Sequence, residues 1–259
     1  MCMESENFKI ELEDGVARCT MHGPNMNALG NVLLPPLMEG LRSVLDNEEV
    51  KVIVLRGAEG NFSAGADLTT MGDKMDPSLL CEGMRAMGAF IYEMHEGPKP
   101  VIAEVDGWAV GGGFGMAMAA DITYATERAR FFLSWTRISI LPDFGSAYFL
   151  TRRVGLSIAK ELALTAAIVE AEEALRIGLI NRVVPHEQIS DEVMKLARKL
   201  ARRPANILAM TKRWLNTGHQ VDLQTFLDLE AYAQSLAVIT PEHKEAVDKF
   251  FEKRTGKKE

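Results

Sequence analysis

The segment WAVGGGFGMAMAAD, residues 108–121, places a run of glycines and alanines where an apolar strand gives way to a helix. Small side chains leave the backbone N–H groups uncovered. A helix that begins there offers unpaired N–H groups and a partial positive charge, which together stabilise an anion. The segment therefore predicts either an anion-binding helix start or close packing of a helix against a strand.

A second segment, FSAGADL at residues 62–68, repeats this pattern after the apolar run VKVIVLRG at residues 50–57. Two N–H groups that converge on one point form an oxyanion hole, in which each donor contributes about 3 kcal/mol. Two such segments in the same context favour the functional interpretation over packing alone.

Several common motifs are missing from the sequence. A dinucleotide-binding GxGxxG fails in both possible registers, because Met116 or Met118 occupies the last glycine position. The chain also lacks GxxxxGK[ST], GxSxG and HExxH, which disfavours phosphate-loop, serine-hydrolase and metal chemistry. We therefore expect no metal and no cofactor held by the protein itself.

The composition limits the class of protein. The chain has 259 residues, 47% of them hydrophobic, and a net charge of −7, which predicts a sizeable core and argues against nucleic-acid or membrane partners. No apolar run approaches the roughly 18 residues of a membrane span. Cys2, Cys19 and Cys81 form no CxxC pair, which is typical of reduced thiols in a cytoplasmic protein.

Strands and helices alternate along the first part of the chain, which predicts an α/β layer architecture, and strands become scarce from Gly145 onward. FKIELEDGVARCTMHG (8–23) indicates a hairpin with an Asp-Gly turn, and PVIAEVDG (100–107) and ITYAT (122–126) indicate further strands. The stretch VEAEEALRIG (169–178) has a helical pattern. Helical patterns alone continue after residue 200, which predicts an appended helical region at 201–259.

Five segments together resemble the enoyl-CoA hydratase/isomerase superfamily, whose members share the crotonase fold. The resemblance rests on FSAGADL (62–68), KPVIAEVDGWAVGGGFGMAMAADITYATERARF (99–131), LPDFGSAYFLTRRVG (141–155), EALRIGLINRVVP (173–185) and KFFEKR (249–254). It implies an α/β spiral of repeated β-β-α turns over residues 1–200 and a helical trimerisation region at 201–259. It also implies an acyl-CoA substrate, with coenzyme A as part of that substrate, and a homotrimer or a dimer of trimers.

The resemblance also implies the binding residues. The N–H groups of Ala66 and Gly112 are expected to hold the thioester oxygen while it becomes an enolate. Contacts to the rest of the substrate are implied for Ala64, Asp67, Leu68, Trp135, Phe144, Phe250 and Lys253. Read without the resemblance, Asp67 could instead cap the turn that follows it, and Lys253 could belong to a charged tail.

Hydratases of this superfamily position a water molecule between two glutamates, and this chain has neither. Gly115 and Trp135 occupy the two positions, and neither side chain can transfer a proton. Simple hydration is therefore disfavoured.

Asp143 stands where aspartate-dependent isomerases of the superfamily carry their catalytic carboxylate. One carboxylate suffices to move a double bond, because it removes a proton from one carbon beside the enolate and returns it to another. An apolar environment would raise its pKa by desolvation; the expected neighbours are Trp135, Ile140, Leu141 and Phe144. The alternatives are a turn residue after Pro142 for Asp143 and plain core packing for Trp135.

The sequence thus predicts an enoyl-CoA isomerase in which Asp143 shuttles the proton. The enzymatic alternatives are enoyl-CoA hydration, and dehalogenation or hydrolysis of an aromatic acyl-CoA by Trp135 and Asp143. The dehalogenases also need a histidine at a position that falls on Gly88 here, with His95 the nearest. A non-catalytic acyl-CoA-binding protein is the alternative from another class. Other carboxylates that could assist are Glu93, Glu96 and Glu104.

Overall fold

A seven-stranded β-sheet forms the central layer of the protein in the computed structural model, which describes residues 4–70 and 76–255. In chain order the strands are β1 (Glu4–Ser5), β2 (Phe8–Glu13), β3 (Val16–Met21), β4 (Val52–Gly57), β5 (Val101–Val105), β7 (Ile122–Thr126) and β10 (Arg182–Val184). They lie in the order β1-β2-β3-β4-β5-β7-β10. The pairs β1–β2 and β2–β3 are antiparallel, and every later pair is parallel.

A smaller sheet flanks the candidate site. It comprises β6 (Trp108–Val110), β8 (Arg130–Phe132) and β9 (Ile168–Glu170), with β6 and β8 parallel and β8 and β9 antiparallel. The sequence pattern missed this sheet, and it predicted a helix where β9 lies. Three-residue strands carry almost no periodicity, and long-range pairing rather than local preference makes them strands.

The helices connect and cover these sheets. They are α1 (Pro24–Asn27), α2 (Leu34–Asp46), α3 (Pro77–Glu96), α4 (Gly112–Ala119), α5 (Ser146–Leu164), α6 (Ala171–Arg176), α7 (Ile189–Ala201), α8 (Ala205–Thr217), α9 (Leu223–Ala237) and α10 (Pro241–Thr255). The successions β5–β6–α4 and β7–β8–α5 are two of the repeated β-β-α units, so the α/β class expected from the sequence is confirmed.

The hairpin between β2 and β3 shows how local sequence sets the register. Its two turn residues, Asp14 and Gly15, have φ of 51° and 76°, which is the conformation that a two-residue hairpin needs. Phe8 then pairs with Met21 and Glu13 with Val16. The Asp-Gly turn expected from the sequence is therefore present.

The parallel strands are buried on both faces, which explains their unbroken apolar runs. Along β4, Ile53 and Leu55 belong to the larger core cluster, whereas Val52 and Val54 face the cluster beneath α7. Alternate residues of a strand point to opposite faces, so one short strand contributes to two cores. This sandwich holds the carboxyl ends of β4 and β5 in place, next to the two glycine-rich segments.

The chain after residue 200 forms α8, α9 and α10. Among the described residues, neither α9 nor α10 has a buried side chain. The boundary between a core and a trimerisation region stays a prediction. Within the described part of the chain, no helix combines the length and apolarity needed to cross a bilayer.

Candidate active site

A cavity of about 220 Å³ lies between the two glycine-rich segments and the loop that follows β8. Its wall is mostly apolar, and Asp143 is the one carboxylate among the described residues that form it. The lining residues are Ala64, Ala66, Leu68, Val110, Gly111, Gly112, Phe132, Ser134, Trp135, Arg137, Ile138, Ile140 and Asp143. An apolar cavity with few polar groups is typical of a small-molecule site.

The first expected oxyanion donor, Ala66, lies in an extended segment that pairs with Leu29. Leu29 N–H donates to Gly65 C=O at 2.7 Å, and Asp67 N–H donates to Leu29 C=O at 3.3 Å. Neighbouring residues of an extended chain direct their N–H groups to opposite sides. Ala66 N–H therefore faces away from Leu29, on the cavity side, and it donates to no backbone carbonyl of the described residues.

The second expected donor, Gly112, is the first residue of α4. Its neighbour Gly111 donates to Phe132 C=O at 3.0 Å and accepts from Gly115 N–H at 3.0 Å. Gly112 N–H is one of the helix-start amides that the helix itself cannot satisfy. It also lines the cavity.

Gly65 allows the two donor segments to approach each other. It has a φ of +77°, and a Cβ built there would lie 2.4 Å from the carbonyl oxygen of Val110 and 3.3 Å from the nitrogen of Gly112. A side chain at this position would push the segments apart. The structure therefore brings both expected donors to one cavity, and glycine permits that approach.

Asp143 is half-buried at the cavity wall, and Trp135 is its partner. Nε1 of Trp135 donates to Oδ1 of Asp143 at 3.0 Å. Burial raises the pKa of the Asp143 carboxyl above its ordinary value, and the hydrogen bond from Trp135 opposes that rise. A carboxylate that is destabilised in this way is a stronger base.

The turn that carries Asp143 is strained. Phe144 and Gly145 both have positive φ, 48° and 70°, and Ser146 donates to the Asp143 carbonyl from its N–H at 2.8 Å and from its hydroxyl at 2.5 Å. Positive φ is unfavourable for a phenylalanine, and such strain tends to gather at functional sites. Asp143 is thus a turn residue, as one alternative held, and its carboxylate also lines the cavity.

The structure shows why a hydratase-type glutamate has no space at position 115. A Cβ built on Gly115 would lie 2.5 Å from the hydroxyl of Ser146 and 2.9 Å from the carbonyl oxygen of Phe144. The start of α5 therefore occupies this space. Trp135, at the other glutamate position, is 1% exposed and packs edge-on against Phe114, so it serves the core as well as the cavity.

Four residues that the sequence predicted at the substrate site have other surroundings in the structure. The N–H of Asp67 is taken by Leu29, and its carboxylate caps the next turn by accepting from Thr69 N–H at 3.1 Å. Phe144 does not line the cavity, and its ring lies 3.0 Å from where a Cβ on Gly112 would stand, against the start of α4. Leu141 is 84% exposed. Phe250 lines a separate cavity near Arg202 and Arg203.

Two expected binding residues lie at or beyond the limits of the cavity. Leu68 lines the cavity and is 52% exposed, so it lies at an open edge. Lys253 belongs to α10, but its side chain lies outside the described residues. Its contact with a nucleotide stays a prediction.

The other titratable candidates lie elsewhere. Glu93 pairs with Arg42 at 3.0 Å, and the buried Glu104 pairs with Arg56 at 3.4 Å. His95 lines a different cavity with Tyr148 and Phe149. Neither these groups nor Glu96 line the cavity of Asp143.

No histidine is among the described residues that line the cavity of Asp143, as the dehalogenase alternative would require. A Cβ built on Gly88, the position where it falls, has no atom within 4 Å among the described residues. Within the described ranges, no three His, Cys, Asp or Glu side chains are grouped closely enough to hold a metal.

Sequence reasoning missed the segment from Phe132 to Ile138, which supplies five lining residues. They are Phe132, Ser134, Trp135, Arg137 and Ile138, of which only Trp135 was expected. The signal was weak, because this segment combines a three-residue strand with one turn of 3₁₀ helix, Trp135–Ile138. Arg137 is exposed and stacks on the Phe132 ring at 5.5 Å.

Comparisons of the sequence and of the structure with known proteins point to the same family. The sequence profile of the family described as enoyl-CoA hydratase/isomerase matches residues 11–258. Crotonyl-CoA hydratase of Syntrophomonas wolfei is 34% identical over 255 residues, which are 97% of each chain. The 1,2-epoxyphenylacetyl-CoA isomerase of Escherichia coli is 32% identical over 250 residues, which are 94% of this chain and 95% of that protein. A crystal structure of an enoyl-CoA hydratase/isomerase from Cupriavidus metallidurans has a TM-score of 0.90 and 33% identity, covering 97% of this chain and 95% of that one.

Proposed function

The chain belongs to the enoyl-CoA hydratase/isomerase family and is an enzyme of that family, and on this premise we propose that it is an enoyl-CoA isomerase. The observation that carries the proposal is the cavity itself. Both amide donors line it, and Asp143 is the one carboxylate among its described residues. A single carboxylate supports proton transfer between two carbons but leaves no second group to activate water.

The proposed mechanism uses these three groups in turn. The thioester carbonyl accepts hydrogen bonds from Ala66 N–H and Gly112 N–H. Asp143 then removes a proton from C2 of a 3-enoyl thioester, and the electron pair of the broken C–H bond enters a dienolate. The two amides stabilise the negative charge on oxygen, where each donor contributes about 3 kcal/mol. Asp143 returns the proton to C4, which leaves the double bond between C2 and C3.

Hydration is the second candidate, because crotonyl-CoA and short-chain-enoyl-CoA hydratases are among the relatives. The residues of the site disfavour hydration. The space at Gly115 is filled by Ser146 and Phe144, and Trp135 donates its one polar hydrogen to Asp143. An indole N–H cannot act as a base.

The remaining alternatives have less support. Trp135 and Asp143 form the pair that dehalogenation would use, but His95 lines a different cavity. We also propose that coenzyme A takes part only as a component of the substrate. The site keeps a carboxylate and two amides at one cavity, which favours catalysis over binding alone.

The product distinguishes these functions. We expect that incubation with 3-enoyl-CoA thioesters of several chain lengths yields the conjugated 2-enoyl isomer, seen as a new ultraviolet band at unchanged mass. Asp143→Asn is the control, since an amide cannot accept the proton. A product heavier by one water that also forms from 2-enoyl-CoA would instead indicate a hydratase.

A further inference from the structure

Helix α4 carries one of the two oxyanion donors, but it has no polar side chain that could fix its orientation. All eight of its residues, Gly112–Ala119, are buried, and their side chains are apolar or absent. The last carbonyl groups of a helix have no partner within the helix. Because this end cannot reach water, other elements must satisfy it.

Side chains from three other elements satisfy these carbonyls. Thr123, on β7, donates its hydroxyl to Ala117 C=O at 3.0 Å. His95, on α3, donates a hydrogen bond from its ring to Ala119 C=O. Arg153, on α5, donates from Nη2 to Met118 C=O at 3.0 Å and to Ala120 C=O at 2.7 Å.

Arg153 also fixes the loop before β10, because its Nη1 donates to Leu179 C=O at 3.0 Å. Burial lowers the pKa of the Arg153 guanidinium to about 10, so it stays charged at neutral pH. A cation at the carboxyl end of a helix interacts favourably with the helix dipole. The planar fork of an arginine reaches several carbonyls at once, which a lysine cannot do.

The position of Arg153 in the chain gives these bonds a consequence for catalysis. Helix α5 begins at Ser146, whose N–H and hydroxyl hold the carbonyl of Asp143. Gly155, with a φ of 76°, interrupts the helix only two residues after Arg153. Arg153 therefore lies in the same unbroken segment as Ser146, and it joins that segment to the far end of α4.

We propose that Arg153 is a positioning residue that holds the Gly112 amide and the Asp143 carboxylate in their mutual geometry. It touches neither the substrate nor the reacting atoms. It acts through α4 and the first half of α5, which carry the two groups. The inference rests on the proposed function, because it assigns Arg153 to the oxyanion hole and the proton shuttle described there.

The test compares Arg153→Met and Arg153→Lys with Arg152→Met. Arg152 is the neighbouring residue of the same helix, but it is exposed, and among the described residues it hydrogen-bonds to Tyr148 at 3.2 Å and stacks on the Tyr148 ring at 3.4 Å. Cinnamoyl-CoA is a suitable probe, because it has no C4 proton to transfer and its absorption shifts to the red when its carbonyl is polarised. The shift reports the oxyanion hole without turnover.

We expect Arg153→Met to lose most of this red shift and to lower kcat by about tenfold to a hundredfold, with KM changed by no more than about threefold. Arg153→Lys should lie between it and the wild type, and Arg152→Met should match the wild type. If Arg153→Met does not fold, Arg153→Lys is measured at a temperature where circular dichroism shows it folded. An unchanged red shift and kcat in a folded Arg153 variant would overturn the proposal.

The same measurements can overturn the proposed function without overturning the role of Arg153. A normal red shift in the wild type together with full turnover by Asp143→Asn would remove the proton shuttle and leave the role of Arg153 in the oxyanion hole intact. A wild type that binds cinnamoyl-CoA without a red shift would overturn both.

Discussion

At the scale of single residues, the hydrogen bond from Trp135 influences the pKa of Asp143. Burial favours the neutral carboxylic acid, whereas the indole hydrogen bond favours the carboxylate. Because the rise from burial is the larger effect, Asp143 is a stronger base than a solvated aspartate. Removing one side of this balance should move the pH profile in a known direction.

Trp135→Phe should shift the acid limb of the kcat/KM profile to higher pH. The reaction needs Asp143 as a carboxylate, and the lost hydrogen bond had lowered the pKa of that carboxyl, so the pKa rises when the bond is removed. As the pH is lowered, the activity of the variant therefore begins to fall at a higher pH than that of the wild type. Trp108→Phe is the control, because Trp108 lies outside the cavity lining. An unmoved or lowered acid limb in Trp135→Phe would contradict this account.

The residues of the site differ in how far the sequence revealed them. Resemblance named Ala66, Gly112, Trp135 and Asp143, and the structure brings all four to one cavity. The backbone conformation of Phe144 could not be predicted from the sequence, because a positive φ is unusual for a phenylalanine. Which of these residues act in catalysis stays a proposal.

At the scale of elements, the glycines of helices α4 and α3 have different surroundings. The glycines of α4 permit close approach to neighbouring elements, and Gly115 lies against the start of α5. In α3, by contrast, a Cβ built on Gly88 meets no described atom within 4 Å. Replacement of these two helical glycines by alanine should therefore have opposite effects.

Gly115→Ala should lower the free energy of unfolding by about 1–3 kcal/mol, because the new methyl group has no space. Gly88→Ala should raise it by about 0.5–1 kcal/mol, because alanine favours the helix and the site is open. Chemical denaturation of both variants measures the difference. A stabilised Gly115→Ala would contradict the packing described here.

Elements with a long periodic pattern were predictable, and short ones were not. The strands β2, β3, β5 and β7 and the helices after residue 200 follow from apolar runs and spacing, as the pattern indicated. The sheet of β6, β8 and β9 depends on contacts between distant segments, such as Phe131 with Val169. No local pattern encodes such a pairing.

The exposed apolar surface of the C-terminal helices is the main feature at the scale of the whole molecule. A stripe along α9 and just beyond it leaves large side chains in solvent: Leu229 is 42% exposed, Tyr232 76%, Leu236 64% and Ile239 67%. The residues recur every three or four positions, so they share one face. A continuous exposed apolar face indicates a protein contact, and we propose self-association as a trimer or a dimer of trimers.

Leu236→Glu combined with Tyr232→Glu should dissociate this assembly, because burying two carboxylates in an apolar contact is unfavourable. Sedimentation velocity would show a smaller species than the wild type. Ser235→Glu, which adds one carboxylate beside the stripe, is the control. A wild type that sediments as a monomer would overturn the proposal.

The most direct test of the central claim follows deuterium into the substrate. A 3-enoyl-CoA incubated with the enzyme in D2O should gain deuterium at C4 as its double bond moves, and at C2 whenever the proton is returned to that carbon, because Asp143 exchanges its proton with solvent between removal and return. In Asp143→Asn we expect both exchange and migration to fall by at least about a hundredfold, while binding of a saturated acyl-CoA is kept. Exchange and migration at the wild-type rate in Asp143→Asn would contradict the account.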